Sequence, residues 1–374
     1  MTAPVTRLAV LHVAECLVGG TASYIEEILP AQIARYGAGR IALLAPRSDL
    51  AAFPAIEGLV RLAYEQERRS PGALLRLGKA VRQAVGSRDP ALVHLHSTVA
   101  GAVGRLALRG LRRRPRIVYC AHGWMIDPDR DTKHNAALVA MERGLSRLTD
   151  RIVNISPHET RFLTAQGFDP ARMRLIVSGI RDRAPASFAV RPDGDGGPIR
   201  LLFIGRLDRQ KGFDLLLAAL RHVPLGAVRL TVIGAALKGG DPVDLSHPAI
   251  NHKGWLPREA VAEAIADADA VVMPSRWEGL PLVALEAMRA GRALIATNAG
   301  AFPDMIEDGT TGLLVDHHDP RFLADALARV DADALHRMGI AARKRFEERY
   351  VSNRMNESVV RLYDEIIQNN VSLL

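Results

Sequence analysis

Cysteine is nearly missing from this chain of 374 residues, which has only Cys16 and Cys120, 104 positions apart. Two such residues build neither a disulfide framework nor a cysteine metal cluster. Aromatic residues make up 5% of the chain and are not interleaved with its basic residues, so base-stacking nucleic-acid surfaces are disfavoured. No run of about 18 uncharged apolar residues is present, which removes a transmembrane helix from the expectation. The first residues, Met-Thr-Ala-Pro-Val-Thr-Arg, lead straight into an apolar stretch without the layout of a signal peptide, so a cytoplasmic protein is expected. No GxGxxG follows the first strand pattern of either half, which argues against a dinucleotide enzyme. There is also no clustered acidic metal motif, and no bound metal or cofactor is expected.

What is present is length, an ordinary hydrophobic fraction of 48% and an uneven charge. The length suits two domains, each with its own core. Lys+Arg exceed Asp+Glu by 49 to 41, and residues 1–180 hold 25 of the cations against 15 acids. All of the positive excess is therefore in the first half, which could face an anionic membrane surface, an acidic acceptor or nucleic acid.

Apolar runs alternate with helical patterns along the chain. Strands are expected near residues 8–13, 40–45, 92–95, 117–120, 152–155 and 174–177, with helices over 22–36, 71–85, 99–111 and 135–148 between them. Residues 181–198 are rich in Pro and Gly without periodicity and read as a linker. The pattern then restarts, with strands at 200–204, 229–233, 250–253, 270–273, 293–297 and 312–315 and helices at 213–220, 258–266, 303–306 and 320–330. The expected organisation is an N-terminal domain over 1–180, the linker over 181–198, a second domain over 199–350, and a helix in 351–374 able to pack back on the first domain. Both domains read as parallel sheets covered by helices, with ligands at the carboxyl ends of the strands.

The most informative stretch is Ser275 to Glu286, Ser-Arg-Trp-Glu-Gly-Leu-Pro-Leu-Val-Ala-Leu-Glu. It follows a buried strand pattern and opens a helix, a setting that aims free N–H groups at an anion. Glu278 and Glu286 frame it, and ionised carboxylates beside a phosphate site are suited to gripping sugar hydroxyls. Each is equally accounted for by the helix alone, Glu278 as a favourable charge at its N-terminus and Glu286 as a solvated residue. After the first strand of the second half comes Gly205-Arg206, then Lys211-Gly212, which offers an arginine fork and a mobile ammonium to a diphosphate. In the first half, Gly20 in Val-Gly-Gly-Thr permits close backbone approach, and His122 in Ala-His-Gly-Trp lies just past a strand end. His122 could hydrogen-bond a hydroxyl or be a satisfied structural histidine, and His96 is read as structural. Arg105, Arg109 and Arg112 fall at helical spacing, as do Arg76, Lys79 and Gln83 opposite Leu74, Leu77, Val81 and Val85. Two basic helix faces would suit anionic lipid head groups.

Taken in order, the Gly-rich first loop, the His-Gly pair, the linker, Gly205-Arg206 with Lys211-Gly212, Glu278 with Glu286, then Gly300 and Gly309-Thr-Thr-Gly312, resemble the retaining glycosyltransferases of family GT4, which have the GT-B fold: two Rossmann-like α/β domains facing each other across a cleft. The resemblance spans the whole chain. It implies that Arg206 and Lys211 stabilise a leaving diphosphate, helped by the N–H groups of Gly279 and Leu280. It further implies that Glu278 holds hydroxyls of the donor sugar and Glu286 the ribose, that Gly20 and Gly205 approach the donor, and that His122 sits beside the transferred sugar, all without a metal. Ser178-Gly179-Ile180 departs from the Asn-Gly-Val of many relatives at the interdomain hinge. The expected function is transfer of a hexose from a nucleotide sugar to a saccharide or lipid-linked saccharide, in peripheral contact with an anionic membrane. A small soluble acceptor is the alternative, as is a catalytically silent nucleotide-sugar-binding subunit.

Overall fold

The computed structural model describes residues 7–66, 70–124, 132–183, 197–236, 243–316 and 319–371. Most of the expected linker, residues 184–196, lies outside them. Two compact units divide the chain: Met1–Gly179 with Ser352–Leu374, and Ile180–Val351.

The first unit runs β1 (Val10–Ala14), α1 (Gly20–Tyr36), β2 (Ile41–Pro46), α2 (Arg47–Ala52), β3 (Leu59–Tyr64), α3 (Pro71–Arg88), β4 (Leu92–His96), α4 (Thr98–Leu108), β5 (Arg116–Cys120), α5 (Thr132–Ser146), β6 (Arg151–Asn154), α6 (Pro157–Ala165) and β7 (Met173–Leu175). Its seven strands form a parallel sheet in the order β3-β2-β1-β4-β5-β6-β7. Strand order reverses beside β1, so the crevice at the carboxyl ends of β1 and β4 is where such a sheet binds ligands. β1, β2 and β4 are buried along their whole length, as strands covered on both faces must be.

The second unit runs β8 (Ile199–Ile204), α7 (Phe213–Leu220), β9 (Val228–Ile233), β10 (Ile250–Gly254), α8 (Arg258–Asp267), β11 (Ala270–Met273), α9 (Leu282–Arg289), β12 (Ala293–Thr297), α10 (Phe302–Met305), β13 (Gly312–Val315), α11 (Pro320–Arg329) and α12 (Ala332–Arg349). Its parallel sheet has the order β10-β9-β8-β11-β12-β13, with the reversal between β8 and β11. The loops after those two strands are the ones that carry Arg206 and Glu278. Both units are thus the parallel α/β sheets expected from the sequence.

The last helix, α13 (Ser352–Val371), belongs to the first unit, where it packs along α1. Its apolar stripe, Met355, Val359, Leu362 and Tyr363, is buried. Asp364 accepts from Tyr36 Oη at 2.9 Å and from Arg35 Nε at 3.0 Å.

Three sequence expectations are corrected. Arg105 does not lie on a basic surface but is fully buried, donating to Gly101 O and to Glu142 Oε2, each at 2.8 Å, with its guanidinium over the Tyr119 ring. Helix α4 ends at Leu108, so Arg109 and Arg112 do not continue its face. Helical spacing alone cannot separate a surface cation from one paired inside the fold. On α3, Leu77, Val81 and Val85 face the core as expected, whereas Leu74 is exposed. Four elements gave too weak a pattern to be read beforehand: α2, the half-exposed edge strand β3, α6 and the polar helix α12.

Candidate functional site

In the second unit, the loop after β8 is built around Asp208. Its Oδ2 lies 3.1 Å from Arg206 Nε and its Oδ1 accepts from the Lys211 backbone N–H at 3.0 Å, so one carboxylate fixes both the arginine side chain and the turn that carries the lysine. Arg206 also donates to Gln210 Oε1 at 2.7 Å, and Gln210 Nε2 reaches the Trp277 carbonyl at 3.4 Å. The Lys211 stem packs against Gly205.

The loop after β11 meets this one directly. Arg276 N–H donates to Gln210 O at 2.9 Å, and the Arg276 guanidinium holds Asp214 in α7 with two bonds of 2.8 and 2.7 Å. Gly212 makes the close approach possible: its backbone is left-handed, and a Cβ there would meet Pro274 O at 1.8 Å. Lys211 Nζ then lies 2.6 Å from Glu278 Oε1, which also accepts from Ser275 Oγ at 3.0 Å. Glu278 is buried, and its main chain is backed by Gly300, where a Cβ would meet Glu278 O at 2.3 Å.

These two loops bring together Gly205, Arg206, Lys211 and Glu278, four of the residues singled out in the sequence. Gly279 and Leu280 follow Glu278 in the same turn. Pro281 is the N-cap of α9, in extended conformation with no side-chain cap, so Leu282 begins the helix. Glu286 is one turn in, and among the described residues no donor reaches its carboxylate. Burial pushes its pKa up, against the pull of Arg289 and Arg258. It is therefore a half-buried acceptor held ready, apart from the Lys211–Glu278 pair. Two cations with unspent N–H donors, beside a carboxylate able to release its lysine, suit an anionic ligand that bears hydroxyls.

In the first unit, Gly20 opens α1 behind Gly19, the N-cap, and no side chain caps the helix. Gly20 is exposed and the next three residues are half-buried, at the helix start that follows β1. His122 follows β5 in a left-handed conformation, φ 57°, and Ser97 follows β4 with φ 80°. Two non-glycine residues held this way at one sheet edge store strain of the kind found at binding sites. The Gly123 N–H donates to Glu159 Oε1 at 3.1 Å, while Glu159 Oε2 accepts from Ile155 N–H at 2.9 Å. Burial raises Glu159 to about 7 despite those two bonds.

Sequence reading missed Asp208 and Gln210, although both fall inside the Gly205 to Gly212 stretch. It also missed His12 and His94, which join His96 and His122 in the interior of this unit. The signal was Leu-Val-His-Leu-His in β4: residues two apart on a strand face the same way.

Residues 18–183 match the family model described as Glycosyltransferase Family 4, and residues 198–333 the one described as Glycosyl transferases group 1. A D-inositol 3-phosphate glycosyltransferase of a Nocardioides species is 30% identical over 312 residues, which cover 73% of this chain and 67% of that protein. An uncharacterized 41.2 kDa protein in the cps region of Klebsiella pneumoniae is 26% identical over 254 residues, 66% of this chain and 70% of the other. Among solved structures, Anabaena Alr3699/HepE in complex with UDP and glucose superposes with a TM-score of 0.75 at 17% identity, covering 96% of this chain and 100% of that one, which shows a shared fold.

Proposed function

This chain belongs to glycosyltransferase family 4, and from that premise we propose that it transfers a hexose from a nucleoside-diphosphate sugar to a saccharide hydroxyl, with retention at the anomeric carbon and without a metal. The observation that carries the proposal is the meeting of Lys211 and Glu278 at 2.6 Å, beside Arg206, where β8 and β11 end.

Arg206 and Lys211 take the diphosphate, with the N–H groups of Gly279 and Leu280 at the start of α9 and the backbone of Gly205 and Gly20 close to the donor. As the phosphates engage Lys211, Glu278 is freed to hold donor-sugar hydroxyls, and Glu286 takes the ribose. The acceptor oxygen forms its bond to the anomeric carbon on the face from which the diphosphate departs. The bond from that carbon to the diphosphate oxygen breaks, and the diphosphate oxygen receives the acceptor's proton. The two cations neutralise the charge that grows on the leaving group, which is the kind of electrostatic assistance that most lowers such barriers. His122 is assigned a place beside the transferred sugar.

The acceptor we favour is a lipid-linked saccharide in surface-polysaccharide assembly, met at the inner face of the cytoplasmic membrane. Support comes from the cationic first half, from exposed Leu75 and Leu106 on the adjoining helices α3 and α4, and from the Klebsiella relative in a cps region. No helix among the described residues is long and apolar enough to cross a membrane, so contact would be peripheral. The Nocardioides relative, named for inositol 3-phosphate, favours a second reading with a small soluble acceptor.

The test is turnover with a panel of nucleotide sugars, UDP-sugars first because the superposed Anabaena protein was solved with UDP and glucose. Release of nucleoside diphosphate that depends on acceptor and survives a chelator, with an axial product from an axial donor, is the expected result. An inverted product, or loss of activity to the chelator, removes the corresponding part of the proposal.

A further inference from the structure

Four histidines gather in and beside the core of the first unit, and none of the hydrogen bonds that join their rings among the described residues is to an acid. His12 is central in β1, His94 lies opposite it in β4 with His96 two residues further on, and His122 follows β5; the first three are fully buried. His12, His94 and His96 each present a ring nitrogen within 4.8 Å of the others, a grouping that would suit a metal ion.

The detailed geometry points elsewhere. His12 Nδ1 and His96 Nε2 are 2.9 Å apart with ring centroids at 5.2 Å, and His96 Nδ1 and His122 Nε2 repeat both values. Each centroid separation equals the nitrogen separation plus one ring radius on either side, so the nitrogens point at each other head-on. Imidazoles bound to a tetrahedral zinc meet it at an angle and keep their nitrogens about 3.3 Å apart. Head-on pairs at 2.9 Å are hydrogen bonds.

The line has a direction because of its inner end. Gln32 Oε1 lies 2.7 Å from His12 Nε2, and a carbonyl oxygen only accepts. His12 therefore carries its proton on Nε2 and accepts at Nδ1. His96 must donate from Nε2 and accept at Nδ1, and His122 must donate from Nε2. Its remaining nitrogen, Nδ1, lies 3.6 Å from Cys120 Sγ. Both nitrogens of His122 are thus held by the protein. The line ends at an amide that takes no proton, so it cannot conduct one; what it can do is orient.

We infer that Gln32, His12 and His96 are positioning residues that lock His122 in the Nε2–H tautomer and hold the His122–Gly123 turn in its left-handed conformation. The turn then offers a ligand its main chain and the carbon edge of the ring, not a titrating imidazole. Glu159 completes the support from the other side by accepting the Gly123 N–H. The functional part of this inference rests on the glycosyl-transfer reading; the tautomer assignment does not.

The experiment is long-range ¹H–¹⁵N correlation on the full, unliganded chain, with single His→Gln variants for assignment. His12, His96 and His122 are expected as neutral Nε2–H tautomers at pH 7, and Gln32→Leu is expected to give mixed tautomers at His12 and His122. Kinetically, Gln32→Leu should lower kcat about 10-fold without altering the pH dependence of the rate, and Gln32→Glu, which keeps an acceptor at the end of the line, should restore Nε2–H at His12 and most of the turnover. Nδ1–H tautomers, an imidazolium, or one equivalent of zinc retained after dialysis would overturn the tautomer assignment. Loss of a pH-dependent limb of the rate profile on replacing His122 would overturn its non-titrating role. Should the wild type turn over no nucleotide sugar, the transferase reading fails while the spectra still decide the tautomers.

Discussion

Lys211 Nζ and Glu278 Oε1, delivered by the loops after β8 and β11, are 2.6 Å apart, so a cation and an acid of the proposed donor site neutralise one another before any ligand arrives. The pair is unequal: the lysine keeps 21% of its side-chain surface in solvent and the glutamate 8%. A ligand phosphate can therefore reach the lysine from outside while the glutamate stays in place on Ser275.

Lys211→Ala is expected to lower kcat by about 10²-fold or more, since a contact to the leaving group is lost in the transition state. It should also leave the Glu278 carboxylate without its cation, and the partly exposed lysine limits that stability cost to about 1 kcal/mol. The double variant Lys211→Met with Glu278→Gln should regain the thermal midpoint but none of the turnover. A double variant that recovers activity would show that the pair is a structural salt bridge and nothing more.

Gly300 backs the main chain that carries that carboxylate. At φ +57°, a Cβ on residue 300 would sit 2.3 Å from Glu278 O and 2.6 Å from Glu278 N, and backbone cannot yield as a flexible side chain does. Gly300→Ala is expected to cost more than about 1 kcal/mol and to reduce turnover through displacement of Glu278. Thermal melts alongside donor kinetics check it. Gly226→Ala is the control for backbone strain alone, because Gly226 is also left-handed, φ +85°, but a Cβ there meets nothing within 4 Å. Equal effects of the two substitutions on activity would sink the claim.

Much of this site was legible in the sequence because it is local. Gly205-Arg206, Lys211-Gly212 and Glu278 each sit where an apolar strand pattern stops, and a parallel sheet gathers its strand ends on one edge. Asp208 was not legible, since an aspartate between two cations reads as one more surface charge until its two oxygens are seen to hold Arg206 and the Lys211 N–H separately. The buried histidines were missed for a different reason. Their partners, Gln32 in α1 and Tyr363 in α13, come from other elements of the chain, and only tertiary structure shows which groups meet the polar residues inside β1 and β4. Arg105 misled in the opposite sense, because its spacing matched the exposed arginines while Glu142 was waiting for it inside the fold.

Those histidines make the first unit sensitive to acid. Burial lowers His12 to about 4 and His122 to about 3, and holds His94 and His96 well below their ordinary value of 6.5. The unfolded chain binds their protons near 6.5 and the folded one does not, so stability is complete above that pH and falls as the pH drops from about 6.5 towards 4. Each histidine contributes a slope of at most about 1.4 kcal/mol per pH unit. Glu159, raised to about 7, acts in the opposite direction between its unfolded value near 4.5 and 7, and offsets one of the four. The thermal midpoint is therefore expected to fall steeply between pH 6.5 and 5, and to fall less steeply in His94→Phe. A midpoint unchanged from pH 7.5 to 5.5 would contradict the burial of four neutral imidazoles.

With Arg105 inside the fold, membrane contact would rest on other residues. The surface left by α3 and α4 presents Leu75, 76% exposed, and Leu106, 54% exposed, among the exposed cations Arg76, Lys79, Arg82, Arg109, Arg112 and Arg113. Leucines that enter the head-group region supply apolar burial, and each nearby cation adds about 1 kcal/mol on an anionic surface at low salt. Binding to phosphatidylglycerol vesicles should thus weaken steeply with ionic strength, because exposed charges are screened over roughly 10 Å at 0.1 M. Leu75→Glu combined with Leu106→Glu is expected to abolish flotation with these vesicles while leaving turnover on a soluble saccharide acceptor within about 2-fold, because neither residue belongs to the loops that hold the proposed site. Arg105→Met separates charge from fold: it removes a cation that never reaches the surface, so it should leave vesicle binding unchanged while lowering the thermal midpoint through the unpaired Glu142. Vesicle binding that survives the two glutamates, or that follows Arg105 instead, would place the contact elsewhere on the chain and return the soluble acceptor to first place.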